Sequence, residues 1–369
     1  MKPYEIYNEY LFYKAGQMGI PYAGCFELTS RCNLDCKMCY IHKRANDRDV
    51  INKEWSAQRW IDLATECEKK GMLNLLLTGG EPLLRKDFFE IYESCKRLGM
   101  MVSINSNATC IDQGVINYFK NNAPTRINIT LYGASAETYE ALCGDGSAYE
   151  KVVNNILALK KIGVLVKLNY SVTPYNIQDM AKVYQFAKEN DLPIQYATYM
   201  FPPMRACEIS NCYAERLSPE QSAMAQIAYD KLRFSDKELV ERWTKQLQGI
   251  VVEEPGAECQ EVPNTPIKCR AGSSTFWVTW DGQMRPCGMM TTPSVDLNQK
   301  SFADAWDIIQ KKTKEIYVPA KCEVCSIRNA CDQCAAICHA ESGKFENPPA
   351  YMCDRTKAYL TMIADLVQT

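Results

Sequence analysis

The chain has 369 residues, 47% of them hydrophobic, enough for two or more domains and a sizeable core. Its 42 Lys and Arg nearly balance 44 Asp and Glu, so charge calls for neither nucleic acid nor an anionic membrane surface as a partner. The first residues lack a signal-peptide pattern and no uncharged run approaches the roughly 20 residues that cross a bilayer, so the protein is expected in the cytoplasm.

Residues 1–20 read as a separate N-terminal segment. From 21 to 200, short β-branched or apolar runs alternate with longer amphipathic stretches, the order of repeated strand and helix units. The strands expected are GCFELT from Gly24, LNLLLTGG from Leu73, MVSINSN from Met101, TRINITLY from Thr125, LVKLNYSV from Leu165 and PIQYATYM from Pro193. Helices between them end on basic residues followed by Gly71, Gly99 or Gly163, which suits the helix dipole and a left-handed terminating residue. The fold class expected is α/β, a partial (βα)6 barrel of TIM type, with the chemistry on loops that follow the strands' C-terminal ends. Residues 201–258 read as a helical bridging segment, in which Ser218 caps a helix with Pro219 in its first turn and FPPMR carries Arg205 towards the barrel rim. Residues 259–353 are rich in Cys, Pro and Gly and read as a small loop-rich domain, and 354–369 as a C-terminal helix.

Nineteen cysteines in a long chain without a secretion signal read as metal ligands and not as disulfides. His42 and His339 are the only histidines, which leaves all-thiolate zinc or iron–sulfur sites. In TSRCNLDCKMCY, Cys32, Cys36 and Cys39 stand directly after the first strand with no fourth cysteine close behind. A zinc knuckle wants four ligands. A cubane cluster held by three thiolates keeps one iron open for a small molecule, and it fits this spacing better. Cys25 alternates with Phe26 and Leu28 and reads as part of a strand face.

CNLDCKMC has the CX3CX2C spacing of radical S-adenosylmethionine (radical SAM) enzymes, and the chain resembles that family. Gly79, Gly80, Glu81 and Pro82 resemble the family's GGEP turn, which meets the amino group of SAM; paired glycines permit close backbone approach and a carboxylate opposes an ammonium. By the same resemblance Asn107 and Thr130 contact SAM, and Met38 packs where many members place an aromatic ring against adenine. Cys269, Gly282 and Cys287, then Cys322, Cys325, Cys331, Cys334, Cys338 and Cys353, resemble the SPASM extension of that family, which implies two auxiliary 4Fe-4S clusters. Its crossed connectivity assigns Cys269, Cys287 and Cys334, with Cys259, to one cluster, and Cys322, Cys325, Cys331 and Cys353 to the other. Cys331 to Cys334 is CX2C where the pattern has CX3C, and Cys338 is extra. Zinc ribbons are the alternative for these spacings.

The resemblance implies an enzyme with SAM and three 4Fe-4S clusters. An electron from a flavodoxin- or ferredoxin-type donor cleaves SAM, and the 5′-deoxyadenosyl radical takes a hydrogen atom from substrate. The first expectation for that substrate is a ribosomal peptide, oxidised or cross-linked, with a separate protein holding its leader. A SAM-dependent dehydrogenase of a small molecule is the alternative. Sulfatase maturation ranks lower, because Gly288 stands where that subfamily has an aspartate. A non-catalytic electron carrier would share the cysteines without needing GGEP, Asn107 or Thr130. Of the remaining thiols, Cys110 among them, most read as small apolar fillers, Cys67 and Cys95 as helix packing, while Cys143, Cys207 and Cys212 fall near the catalytic end as candidate hydrogen donors.

Overall fold

A computed structural model describes residues 3–41, 43–202, 205, 215–250 and 265–368, with side chains from residue 6. His42, Cys207, Cys212 and Cys259 lie outside the described residues.

The strands are β1 (Ala23–Glu27), β2 (Arg31–Cys32), β3 (Lys43–Arg44), β4 (Asn74–Thr78), β5 (Met101–Ser106), β6 (Arg126–Thr130), β7 (Val166–Ser171), β8 (Ile194–Ala197), β9 (Thr275–Val278), β10 (Gln283–Arg285) and β11 (Val295–Asp296). One sheet runs β11-β10-β9-β1-β4-β5-β6-β7-β8, while β2 and β3 form a separate parallel pair. The six strands expected from the sequence, β1 and β4 to β8, are consecutive and parallel. They form a partial barrel of TIM type, with helices such as Ala57–Lys69, Phe88–Arg97 and Ala148–Lys161 between strands. Gly71, Gly99 and Gly163 follow these helices with φ of 93°, 82° and 85°, the conformation that favours glycine.

Alternation sorts each strand into two faces. On β7, Val166, Leu168 and Tyr170 are buried, whereas Lys167, Asn169 and Ser171 lie on the other face. Those polar residues line a lumen cavity of about 410 Å³ with Asn105, Asn128 and Thr130. The lumen is therefore a polar chamber, unlike the stacked apolar layers of a closed eight-stranded barrel.

Strands β9 to β11 lie in a stretch that reads as loop in the sequence. They have two to four residues each and sit among Cys, Gly and Pro, so alternation has no room to register. β9 pairs parallel to β1 and extends the barrel sheet across the expected boundary. Phe276 joins Phe26 in one apolar core, and Trp306 Nε1 donates to Gly19 O at 2.7 Å.

The bridging segment holds helices Pro219–Arg233 and Asp236–Gln248. Ser218 caps the first through a capping box with Gln221. Both pack on the C-terminal helix Ala350–Gln368, where Ala223, Ile227, Leu239 and Trp243 meet Tyr359, Leu360 and Ile363. Among the described residues no helix is long and apolar enough to cross a membrane.

Candidate active site

The loop after β1 is built to present thiols. Arg31 places Nε and Nη2 on Glu54 at 2.8 and 3.0 Å, and the β2–β3 pair ties Cys32 to Arg44. Asp35 N donates to Cys143 O at 2.9 Å and Lys37 N to Leu142 O at 3.0 Å, which pins the loop to the end of helix Ala136–Cys143. Cys32, Cys36 and Cys39 line one cavity of about 220 Å³ with Met38, Tyr40, Gly79, Gly80, Asn107 and Thr130. Burial, then the Cys36 thiol, holds Cys32 well above the usual thiol range. For Cys36 the hydrogen bond with the Cys143 thiol raises it most, followed by burial. Thiols so crowded ionise when a cation shares the site, which is the donor chemistry an iron cluster needs.

The GGEP turn supports this loop from behind. Gly80 N donates to Thr29 O at 2.7 Å and Glu81 N to Arg31 O at 2.8 Å. A Cβ on Gly79 would stand 2.3 Å from Thr29 O, and one on Gly80 2.2 Å from Arg31 O. The glycines thus let two protein loops meet, in addition to exposing backbone to the cavity. The Glu81 side chain is fully buried and is not among the residues that line the cavity. Its carboxylate accepts from Leu83 N (3.1 Å), Ser106 Oγ (3.0 Å) and Asn107 N (2.7 Å). Burial pushes this carboxyl up to about 7 against those three hydrogen bonds. Asn107 also donates from Nδ2 to Asn33 Oδ1 at 3.1 Å and approaches Cys32 Sγ at 3.5 Å.

The C-terminal cysteines sort into two further cavities. Cys322, Cys325, Cys331 and Cys353 line one of about 100 Å³. Cys269, Cys287 and Cys334 line another of about 490 Å³. Cys338 lines neither; it is fully buried and takes a hydrogen bond from Gln333 Nε2 at 2.6 Å. Among the described residues no three His, Cys, Asp or Glu side chains gather as a single metal ion requires.

Residues 26–187 match the model described as the radical SAM superfamily. That match identifies residues 26–187 as a radical SAM domain. It is 23% identical over 337 residues to the AdoMet-dependent heme synthase of Methanosarcina barkeri, covering 88% of this chain and 94% of that protein. The fold is similar to that of Streptococcus suis SuiB bound to S-adenosylmethionine, with a TM-score of 0.65, 16% identity, and coverage of 95% of this chain and 83% of that one. It is similar also to anSMEcpe with bound AdoMet, with a TM-score of 0.67, 17% identity, and coverage of 94% and 95%.

The radical SAM barrel holds a buried charge cluster that the sequence does not advertise. Glu27, last in β1, is fully buried and accepts from Arg205 Nη1 and Nη2 at 2.7 and 2.8 Å and from Trp277 Nε1 at 3.1 Å. The Arg205 guanidinium also lies 5.3 Å from the centre of the Tyr40 ring. Arg205 is therefore committed to Glu27 inside the barrel wall and is no free group at a rim. A signal existed in part, since Glu27 shares the face of Cys25 by alternation, but nothing local names its partners.

Gly288 lies flat on the Trp277 indole, where a Cβ would meet the ring at 2.9 Å. An aspartate there would displace Trp277 from Glu27. Cys143 is the last residue of its helix; it is buried against Cys36 and is not among the residues lining the cavity that Cys36 lines. Cys67 and Cys95 are fully buried between helices and strands, whereas Cys110 is half-exposed beside Asn33.

Proposed function

We propose that this radical SAM protein oxidises its substrate with SAM and three 4Fe-4S clusters. Cys32, Cys36 and Cys39 hold the SAM-binding cluster. Cys269, Cys287 and Cys334, with Cys259, hold the first auxiliary cluster, and Cys322, Cys325, Cys331 and Cys353 hold the second. The observation that carries this reading is the sorting of thiols in crossed order into separate cavities, each wider than one ion requires. A 4Fe-4S cluster held by Cys32, Cys36 and Cys39 would supply the electron for reductive cleavage of SAM, the chemistry by which a hydrogen atom would be taken from substrate. Met38, Asn107, Thr130 and the backbone of Gly79 and Gly80 orient SAM in the cavity they line. A flavodoxin- or ferredoxin-type protein supplies the electron.

A peptide is the first substrate reading, supported by the common fold with SuiB bound to its precursor peptide SuiA and anSMEcpe with the Cp18Cys peptide. A separate leader-binding protein belongs to that reading. Likeness to AdoMet-dependent heme synthases over most of the chain favours a second, a tetrapyrrole, which is a small-molecule substrate. The test incubates reduced, cluster-loaded enzyme with SAM and either peptides encoded beside it or iron porphyrins bearing propionates. We expect 5′-deoxyadenosine in proportion to a product altered in mass. Fully loaded enzyme that forms none would leave only the electron carrier.

Glu81 bears on SAM binding as a buried counter-charge behind the Gly79–Gly80 backbone, not as a direct ligand. With the carboxyl at about 7, a proton competes with the SAM ammonium for the same charge. Below that pH the carboxyl is neutral and attracts nothing; above it the charge is present. SAM affinity should therefore rise as pH climbs through about 7. Glu81→Gln should weaken SAM binding about tenfold at pH 8 and flatten that rise, read by equilibrium binding. Equal affinities across the range would reduce Glu81 to a tie between Ser106 and Asn107.

A further inference from the structure

Arg285, last in β10, stands in a row across three strands. It pairs with Trp277 on β9, which pairs with Cys25 on β1, and directly paired residues share a face. That face is the lumen face, because Trp277 Nε1 reaches Glu27 there, two residues along β1 from Cys25. Two residues further along the chain Cys287 lines the auxiliary cavity, while Tyr40, under the Arg205 guanidinium, lines the SAM-side cavity. Arg285 therefore sits in the wall between the two.

Its Nε and Nη1 atoms are enclosed, and neither has a hydrogen-bond partner among the described residues. The charges that act on it are Arg205, Asp281 and Glu27. Glu27 is fully engaged by Arg205 and Trp277. Asp281 stands on an exposed turn, where Thr279 Oγ1 donates to it. Among the described side chains the set is then two guanidinium groups against one buried carboxylate, one positive charge in excess. Proteins rarely keep such a group without a reason, since an unpaired buried charge is among the costliest arrangements. One added monoanion neutralises the set and meets the idle N–H donors, whereas a dianion overshoots it.

We propose that Arg285 holds a carboxylate of the substrate between the SAM cavity and the first auxiliary cavity. This rests on the oxidation reading above and narrows its substrate to one that carries a carboxylate near the carbon that loses hydrogen. A peptide with an acidic side chain and a tetrapyrrole propionate both satisfy it.

The experiment labels arginines in the cluster-loaded, full-length enzyme with 2,3-butanedione under argon and reads each position by peptide mass spectrometry. Propionate, its neutral isostere propionamide, and inorganic phosphate are added separately. Arg285 should be labelled, and propionate at about ten times its Kd should slow that labelling about tenfold, because only the free fraction reacts. Propionamide should have no effect and phosphate a weaker one. Arg97, exposed on its helix, should react alike in all three. The proposal falls if Arg285 is never labelled, because a group closed to a small dicarbonyl is closed to a substrate. It falls also if propionamide or phosphate protects as well as propionate. 5′-Deoxyadenosine formation by the same preparation tests the oxidation reading alone. Its absence with propionate protection intact would overturn that reading and leave Arg285 a carboxylate site.

Discussion

Replacing Cys32, Cys36 and Cys39 together by Ala is expected to abolish 5′-deoxyadenosine formation while about two thirds of the iron stays bound. The three thiols line the cavity after the first strand, and seven of the eight described C-terminal thiols line two others, so no two of these cavities share a thiol. The loop that carries them does not depend on them for its shape. Arg31 on Glu54, the β2–β3 pair and the backbone bonds to Leu142 and Cys143 would all survive the change. Iron analysis and absorption spectra of the anaerobically purified variant read the retained clusters. Iron near zero in a folded variant would sink the claim of independent sites. Residual SAM cleavage at the parent rate would move the catalytic cluster elsewhere.

Local patterns made the barrel legible. Each of β1 and β4 to β8 is a run long enough to alternate and is followed by an amphipathic helix, so period and order together name the element. The thiol spacing was legible for the same reason, since CX3CX2C compresses a whole site into eight residues. What stayed hidden was set by distance along the chain. Trp277 and Glu27 are 250 positions apart and meet only because β9 joins the sheet edge at β1. Nothing around Arg285 in DGQMRPC says that its neighbours across the sheet are Trp277 and Cys25. At Glu81 the residue types name a chemistry but not a placement: nothing local says that donors from Leu83, Ser106 and Asn107 hold the buried carboxylate. The helix that ends on Cys143 has only eight residues, too short to mark its own end in the sequence.

Glu27→Gln should be the most destabilising single change in the barrel, at about 3–5 kcal/mol. Glutamine keeps the shape of the side chain but offers one oxygen where Arg205 and Trp277 now share two. Its amide NH2 would face guanidinium N–H groups, setting donor against donor. The larger effect is electrostatic. Glu27 is fully buried and the Arg205 side chain nearly so, and Arg285 already lies close with no hydrogen-bond partner for Nε or Nη1 among the described residues. Removing the carboxylate leaves two buried cations facing each other with no anion between them. Truncating Arg205 as well removes one of those cations, so Glu27→Gln with Arg205→Met should recover much of the loss. Thermal unfolding of cluster-loaded protein under argon measures both variants. If the single variant melts with the parent, or the double variant melts below the single one, the ion pair is not what holds this wall of the barrel.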